Sequence, residues 1–158
     1  MSPTGERAIA ILSTQHRYID EQLEQLSTAP PTGATLGRVA QLGKHILAHL
    51  AAEEGVFYPA TQGVLLGRDA ERGRDDHLLV RLRLRGVVRA NTTGTPLQEA
   101  VIALRRAFAR HIRLEENEIF PYVERRMPPD KLQALGDALA AGPRVRTFET
   151  QSAIRARP

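Results

Sequence analysis

The chain has 158 residues, a formal net charge of +4 and 42% hydrophobic residues, which is the size and balance of a single globular domain. It contains no cysteine, so disulfides, thiolate metal sites and iron–sulfur clusters are excluded, and histidine and carboxylate remain as the strong metal ligands. No apolar run is long enough to cross a membrane and no signal peptide is evident, so a cytoplasmic protein is expected.

Apolar residues recur with a helical period along the chain, and this pattern predicts an all-helical protein. Four long helices are predicted, at 4–27, 35–58, 69–90 and 95–126. Thr35 and Thr95 are the predicted N-caps of the second and fourth helices, and Pro59 and Pro121 mark where these helices bend or stop. The short connections make an antiparallel up-down-up-down four-helix bundle the expected fold.

A short fifth helix is predicted after the break MPPD, with Asp130 as its N-cap and KLQALGDALAA as its body. The bundle domain is therefore predicted to cover residues 1–142. The polar tail at 143–158 is predicted to be irregular.

The positive charge comes almost entirely from arginine, which is interspersed with leucine and valine along the helices, as in VRLRLRGVVR. A basic composition can indicate nucleic-acid binding. Here no aromatic platform accompanies the arginines, so neither nucleic-acid nor membrane binding is expected.

One phrase occurs twice in the sequence, as HLAAEEGVFYP from His49 and as HIRLEENEIFP from His111, 62 residues later. The helix before each phrase carries a single histidine, His16 in the first case and His77, 61 residues later, in the second. Each predicted helical hairpin thus has one histidine on its first helix and a His–Glu pair on its second. Two equivalent hairpins packed face to face would bring these side chains together about a pseudo-two-fold axis.

Helical geometry turns these polar side chains towards the predicted core, because residues four apart share one face of a helix. The set consists of His16, His49, Glu53, His77, His111 and Glu115. Burying so many ionisable groups is costly unless a charge compensates them, and a metal ion supplies that charge. Nitrogen and oxygen ligands on facing helices of a bundle suit a dinuclear centre of non-haem iron or manganese. The sequence therefore predicts a dinuclear metal centre in preference to a core of hydrogen-bonded polar groups.

The order and spacing of these residues resemble the hemerythrin-like family, in particular its bacterial HHE cation-binding domain, over about residues 7–127. The resemblance implies a four-helix bundle around two non-haem iron ions that are bridged by carboxylates and often by an oxo or hydroxo group. It implies that Glu53 and Glu115 are the bridging carboxylates and that the four histidines are terminal ligands. The ligand types alone leave manganese and zinc open.

The third helix departs from the pattern of the oxygen-carrying hemerythrins, which have a second histidine one turn along it. Gly73 and Arg81 occupy the positions four residues before and after His77. His45, one turn before His49, is the candidate replacement ligand, because it lies on the same helical face. A position behind the ligands, or at the water end of the bundle, is the alternative.

Other charged residues near the predicted ligands have several possible roles. Asp20, four residues after His16, could be a ligand or could orient one, and the second role is preferred. Glu116, five residues after His111, has the spacing of the fourth-helix carboxylate in the oxygen carriers, but Glu115 is preferred as the ligand, which leaves Glu116 a supporting role. Arg81 could steer an anion. Glu54 and Glu116 point away from their own helix's histidine, so they are expected at a helix seam or in solvent. Glu118 and Tyr122 are expected on the face of His111, at a core edge or along a channel.

The leading functional hypothesis is a di-iron protein that reacts with small oxidants in oxidative or nitrosative stress, by H₂O₂ decomposition or by NO or O₂ chemistry. A site that lacks one hemerythrin histidine has more open coordination, which favours reaction over reversible O₂ carriage. The alternatives are a non-catalytic protein for O₂ or iron binding, sensing or storage, and a structural bundle without metal. The oligomeric state stays open, with a monomer or a weak dimer expected.

Overall fold

The predicted helical content is confirmed in the computed structural model, which describes residues 6–142. Within that range every regular element is a helix: α1 (Glu6–Thr28), α2 (Gly33–Ala52), π1 (Glu53–Phe57), α3 (Tyr58–Thr61), α4 (Gly67–Ala90), α5 (Thr95–Leu114), π2 (Glu115–Ile119), α6 (Phe120–Arg126) and α7 (Pro129–Ala141). The predicted irregular tail at 143–158 lies outside the described residues. No helix of the described part is long and apolar enough to cross a membrane.

Four helices surround a common core. α1 and α4 each pack against both α2 and α5, and α7 covers one side of α1. The connections at 29–32, 62–66 and 91–94 are short, which is what antiparallel neighbours in a bundle require. The up-down-up-down order itself remains a prediction that these contacts and connections support.

The predicted N-caps differ from those in the structure. Thr32, not Thr35, caps α2, and its side chain accepts a hydrogen bond from the backbone N–H of Thr35. Thr95 is the first residue of α5, and its N-cap is Gly94 at φ 71°, a conformation that glycine adopts without strain. Asp130 lies inside the first turn of α7, after the N-cap Pro128, where its carboxylate still complements the helix dipole.

Each helix that carries a His–Glu pair contains a π-helical turn that begins at the glutamate. In π1 the backbone N–H of Tyr58 donates to the carbonyl of Glu53, and in π2 that of Phe120 donates to Glu115. These bonds span five residues instead of four. The second residue after each turn is a proline, which has no N–H to donate. The helices continue past both prolines as α3 and α6, so the prolines do not end them.

The π turns shift the helical face by one residue. Glu118, predicted on the face of His111, is instead exposed and paired with Arg72 at 2.6 Å. Tyr122 is partly exposed, with the guanidinium of Arg126 4.5 Å from its ring centre. Tyr58, beside the proline, turns into the core.

The core consists of two apolar clusters with a polar layer between them. On α1, Leu12 belongs to one cluster and Ile19 to the other, and His16 lies between them in the sequence. On α5, Phe108 and Leu114 stand in the same relation to His111. The apolar clusters therefore enclose the polar layer along the bundle on both sides.

Candidate metal centre

Six ionisable side chains from different helices and π turns meet in the polar layer. They are His16 (α1), His49 (α2), Glu53 (π1), His77 (α4), His111 (α5) and Glu115 (π2), each at most 1% exposed. Five of them offer ligand atoms that all lie within 4.8 Å of one another. The sixth, His77, has its Nε2 3.0 Å from Glu53 Oε2.

The carboxylate of Glu53 lies between two pairs of histidines. Its Oε1 is 3.1 Å from Nε2 of His49 and 3.6 Å from Nε2 of His16. Its Oε2 is 3.0 Å from Nε2 of His77 and 3.7 Å from Nε2 of His111. Each carboxylate oxygen thus faces the two histidines of one helical hairpin.

The carboxylate of Glu115 also reaches both hairpins. Its Oε2 lies 3.3 Å from Nε2 of His16 and 3.7 Å from Nε2 of His111. Its Oε1 lies 3.9 Å from Nε2 of His77 and accepts a hydrogen bond of 2.7 Å from the hydroxyl of Tyr58. The four histidines therefore all direct Nε2 towards the two carboxylates.

The other ring nitrogen of three of these histidines has a defined partner. Nδ1 of His16 is 2.9 Å from Glu116 Oε1, and Nδ1 of His77 is 2.9 Å from Glu54 Oε1. The second glutamate of each Glu–Glu pair thus holds a histidine of the other hairpin, an arrangement more specific than the seam or solvent position expected for it. An acceptor at Nδ1 fixes the tautomer that leaves Nε2 free to bind a metal.

The fourth histidine, His111, differs from the other three. Nδ1 of the third, His49, is 2.8 Å from Gln15 Oε1, whereas Nδ1 of His111 has no hydrogen-bond partner among the described residues. The repeat places Asp76 where the first hairpin has Gln15, since both directly precede the single histidine of their helix. Asp76 is 2% exposed and accepts from Nε of Arg110 at 2.8 Å.

The family model of the hemerythrin HHE cation-binding domain matches residues 7–123, which include all six buried side chains. The chain belongs to the hemerythrin HHE family. No curated protein sequence and no solved structure gives a significant match to it. The family match thus confirms the predicted resemblance to the hemerythrin family. The roles of individual residues in this hemerythrin domain depend on the geometry of the site.

Tyr58 fills the space where this hemerythrin domain departs from the five-histidine pattern. A Cβ built on Gly73, four residues before His77, would collide with the Tyr58 hydroxyl. The Tyr58 ring lies edge-on to His77, with the ring centres 5.8 Å apart. Its repeat counterpart Phe120 stacks on His16 at 5.7 Å. Sequence analysis missed Tyr58, whose only signal was its position directly before Pro59.

His45 is not brought to the six side chains of the hemerythrin site. It is partly exposed on α2, its ring centre lies 5.7 Å from that of Tyr18, and it lines a separate surface cavity with Gln22 and Arg38. Asp20 is also turned outward, with its carboxylate 3.8 Å from Nε of Arg105.

Arg81, the third candidate for a supporting role, reaches the site through a glutamate. Its guanidinium donates to Glu54 Oε2 at 2.6 Å, and the other oxygen of Glu54 holds His77. Arg81 therefore holds Glu54 in place and does not itself lie beside the Nε2 atoms of the histidines.

The carboxylates of the site favour protonation of two histidines when no metal is bound. Burial alone would lower the pKa of His16, but the neighbouring carboxylates of Glu115, Glu116 and Glu53 raise it well above its usual range. The same competition raises the pKa of His77 to about 10, since Glu115 and Glu53 outweigh burial. Burial lowers the pKa of His111 to about 4. Protonated His16 and His77 thus face the carboxylates of Glu53 and Glu115.

The carboxylates respond in the opposite sense. Burial would raise the pKa of Glu53, but His49 and His111 hold it well below the usual range. The pKa of Glu115 is lowered too, because the neighbouring His111, His16 and His77 outweigh the effects of burial and of the charge on Glu53. Burial and the two carboxylates raise the pKa of Tyr58, so its hydroxyl keeps its proton and donates a hydrogen bond to Glu115.

Several atoms of the site have unused bonding capacity, which tests whether a metal would fit. Both oxygens of Glu53, Oε2 of Glu115 and Nε2 of His77 are buried and have no hydrogen-bond partner among the described residues. Leaving such atoms unpaired is costly in a protein interior. All of them are nitrogen or oxygen ligands directed at one another, so the donor set fits metal cations.

Proposed function

We propose that this hemerythrin domain holds two non-haem iron ions and reacts with small oxidants, by H₂O₂ decomposition or by NO or O₂ chemistry, in oxidative or nitrosative stress. The observation that carries the proposal is the position of Glu53, whose two oxygens each face two histidine nitrogens. A carboxylate placed in this way can bridge two cations, each held by the histidines of one hairpin.

In the proposed ligand set, His16 and His49 would hold one iron and His77 and His111 would hold the other. Glu53 and Glu115 would be shared between the two, and His45 is not included. Iron in such a nitrogen and oxygen environment, with coordination positions left open, binds O₂, peroxide or NO and supplies redox chemistry that these side chains lack. The chain's own contribution is to position the ligands and to exclude water.

Three features of the chain would perform that task. Glu116, Glu54 and Gln15 fix the rings of three ligands through Nδ1. Phe108 lies with its ring centre 6.1 Å from His16 and 5.9 Å from His49, and excludes water from that side. The Tyr58 hydroxyl holds a proton at Glu115 Oε1.

Non-catalytic binding of O₂ or iron, for sensing or storage, is the second candidate. The nearly complete burial of all six side chains favours it, because no ligand is exposed by more than 1% and exchange with solvent is restricted. A binder would form a stable adduct, whereas a reactive centre would turn over.

The test begins with metal analysis and the optical spectrum of aerobically purified, iron-reconstituted protein. We expect about two irons per chain, and little iron in a Glu53→Ala variant. Absence of iron, or preferential manganese or zinc, would contradict the di-iron proposal. Peroxide is then added and O₂ evolution is followed. Sustained evolution that the Glu53→Ala variant lacks supports turnover, and a stable spectral change without O₂ release supports the binding alternative.

A further inference from the structure

The surface shared by α2 and α4 carries most of the exposed large apolar side chains. Among residues 6–142, five such side chains are exposed: Leu47, Leu66, Leu78, Leu82 and Val88. Leu47 and Val88 line a groove of about 440 Å³ between the two helices. The small residues Ala40 and Gly43 also line this groove, and Leu84 of α4 packs over Gly43.

The stripe on α4 continues beyond the groove. Leu78, Leu82, Arg85 and Arg89 follow one another at helical spacing, so they lie along one side of α4. Arg85 and Arg89 line the groove, which places Leu78 and Leu82, 66% and 61% exposed, along the same edge. We call this surface, made of Leu47, Leu78, Leu82 and Val88 with the cations beside them, the α2–α4 face.

Among the residues that the structure describes, the groove of the α2–α4 face is lined by cations and by no carboxylate. Residues 33–52 and 77–90 contain no aspartate or glutamate, and four cations line the groove: Lys44, Arg81, Arg85 and Arg89. Of these four, Arg81 alone has a carboxylate partner within residues 6–142, namely Glu54. The other three leave uncompensated positive charge next to exposed leucines.

We propose that the α2–α4 face docks an acidic amphipathic helix of a partner protein. Leucines of such a helix would fill the groove between Leu47 and Val88, and its glutamates or aspartates would meet Lys44, Arg85 and Arg89. Recognition of this kind combines burial of apolar area with complementary charge at the rim. It goes beyond the proposed function, because it does not depend on which metal the centre holds.

Other occupants fit the same observations less well. A second copy of the chain would bring Lys44, Arg85 and Arg89 against like charges, which opposes association. Nucleic acid would pair with the cations but would leave the leucines without apolar contacts. A flat bilayer surface would meet Leu78 and Leu82 but would not fill the groove between the helices.

The groove is also adjacent to the metal centre. Arg81 on its edge donates to Glu54, and Glu54 holds Nδ1 of His77. A docked carboxylate at this edge would compete with Glu54 for Arg81. Replacing Arg81 would disturb Glu54 and, through it, His77, so Arg81 is left unchanged in the test.

The test uses full-length protein and a fluorescent synthetic peptide of about 18 residues, five helical turns, with leucines on one face and glutamates on the other. Fluorescence anisotropy measures its binding, and a peptide of equal composition with scrambled order is the reference. We expect saturable binding that exceeds that of the scrambled peptide. The double variant Arg85→Glu, Arg89→Glu and the variant Leu82→Ser should each weaken it by roughly tenfold or more, as loss of a central contact does.

Matched controls change the same residue types elsewhere. Leu66→Ser alters a leucine that is 43% exposed outside the face, and the double variant Arg68→Glu, Arg106→Glu changes the net charge equally. Both should bind the peptide like the unmodified chain, and circular dichroism checks that every variant is folded. Equal loss of binding in these controls would reduce the effect to net charge and overturn the proposal.

Three further results would overturn it. One is peptide binding no stronger than that of the scrambled sequence. The second is binding of phosphatidylglycerol vesicles or duplex DNA through Arg85 and Arg89 with no specific peptide binding. The third is concentration-dependent self-association that Leu82→Ser abolishes while the peptide does not bind.

Discussion

Three of the four buried histidines have Nδ1 held by a neighbouring side chain and Nε2 directed at the carboxylates, and this arrangement distinguishes them from a histidine that only shares their helix face. His49 has Nδ1 held by Gln15 and Nε2 directed at Glu53. His45, one turn earlier, lies beside Tyr18 at the surface. Helical spacing alone allowed both histidines to be ligands. In the structure His49 is enclosed in the core and His45 is partly exposed.

We expect the variant His45→Ala to keep the iron content and visible spectrum of the unmodified protein. Its cost in stability should stay below about 1 kcal/mol, because the side chain is partly exposed. His49→Ala is the matched comparison and should lower iron affinity by at least about tenfold, since even second-sphere changes reach that size. Metal analysis after identical reconstitution compares them. Iron loss in His45→Ala equal to that in His49→Ala would contradict the proposed ligand set.

The sequence predicted which glutamate of each pair faces its own helix's histidine, because the spacing of four residues depends only on local geometry. It did not predict that Glu54 and Glu116 hold histidines of the opposite hairpin. Those hydrogen bonds depend on how the two hairpins pack, and no local pattern records that packing. Asp20 shows the converse, since a spacing of four from His16 did not bring it to the site.

The π turns are the element that converts two repeated phrases into a site. Both begin at a bridging candidate and end two residues before a proline. The sequence predicted a bend at Pro59 and Pro121, but it did not predict the extra residue per turn, because EEGVF and EENEI contain nothing that ordinary helices exclude. That one-residue shift explains why Tyr58 faces the core and Glu118 faces solvent.

A substitution at Gly73 of α4 tests the position of the Tyr58 side chain, which follows from the π1 turn. In Gly73→Ala the new methyl group would meet the Tyr58 hydroxyl and ring, which are buried and hydrogen-bonded to Glu115. We expect a loss of about 1–3 kcal/mol in the free energy of unfolding, as for other overpacked cores. Urea denaturation of the metal-loaded protein measures it.

Gly86→Ala is the matched control in the same helix, because nothing lies within 4 Å of a Cβ at that position. Alanine there should stabilise the protein by about 0.5–1 kcal/mol through its higher helix propensity. If Gly73→Ala were stabilising to the same extent, the Tyr58 ring could not occupy the space over Gly73.

On the scale of the whole molecule, the bundle encloses a charged layer between two apolar clusters, and that layer must be neutralised whether or not metal is present. Without metal, protons on His16 and His77 balance Glu53 and Glu115, as their shifted pKa values indicate. Metal ions need the same histidines unprotonated. Protons and metal therefore compete for one site, and they stabilise the fold in different pH ranges.

We expect the metal-free protein to lose stability as the pH rises from about 7 to 10. The pKa of His77 is raised to about 10 in the folded chain, so its contribution is fully present below the unfolded pKa of about 6.5 and is lost as pH rises through the folded pKa. His16 acts in the same direction. The metal-loaded protein should keep its stability over that range, because its histidines are already neutral, and should lose it on acidification as protons displace the metal. Urea midpoints at pH 7 and about pH 9.5 distinguish the two cases. Two results would contradict this prediction. One is a urea midpoint of the metal-free protein that is the same at both pH values, and the other is a midpoint that falls by the same amount in a His77→Gln variant. Either result would show that the proton on His77 does not balance the carboxylates.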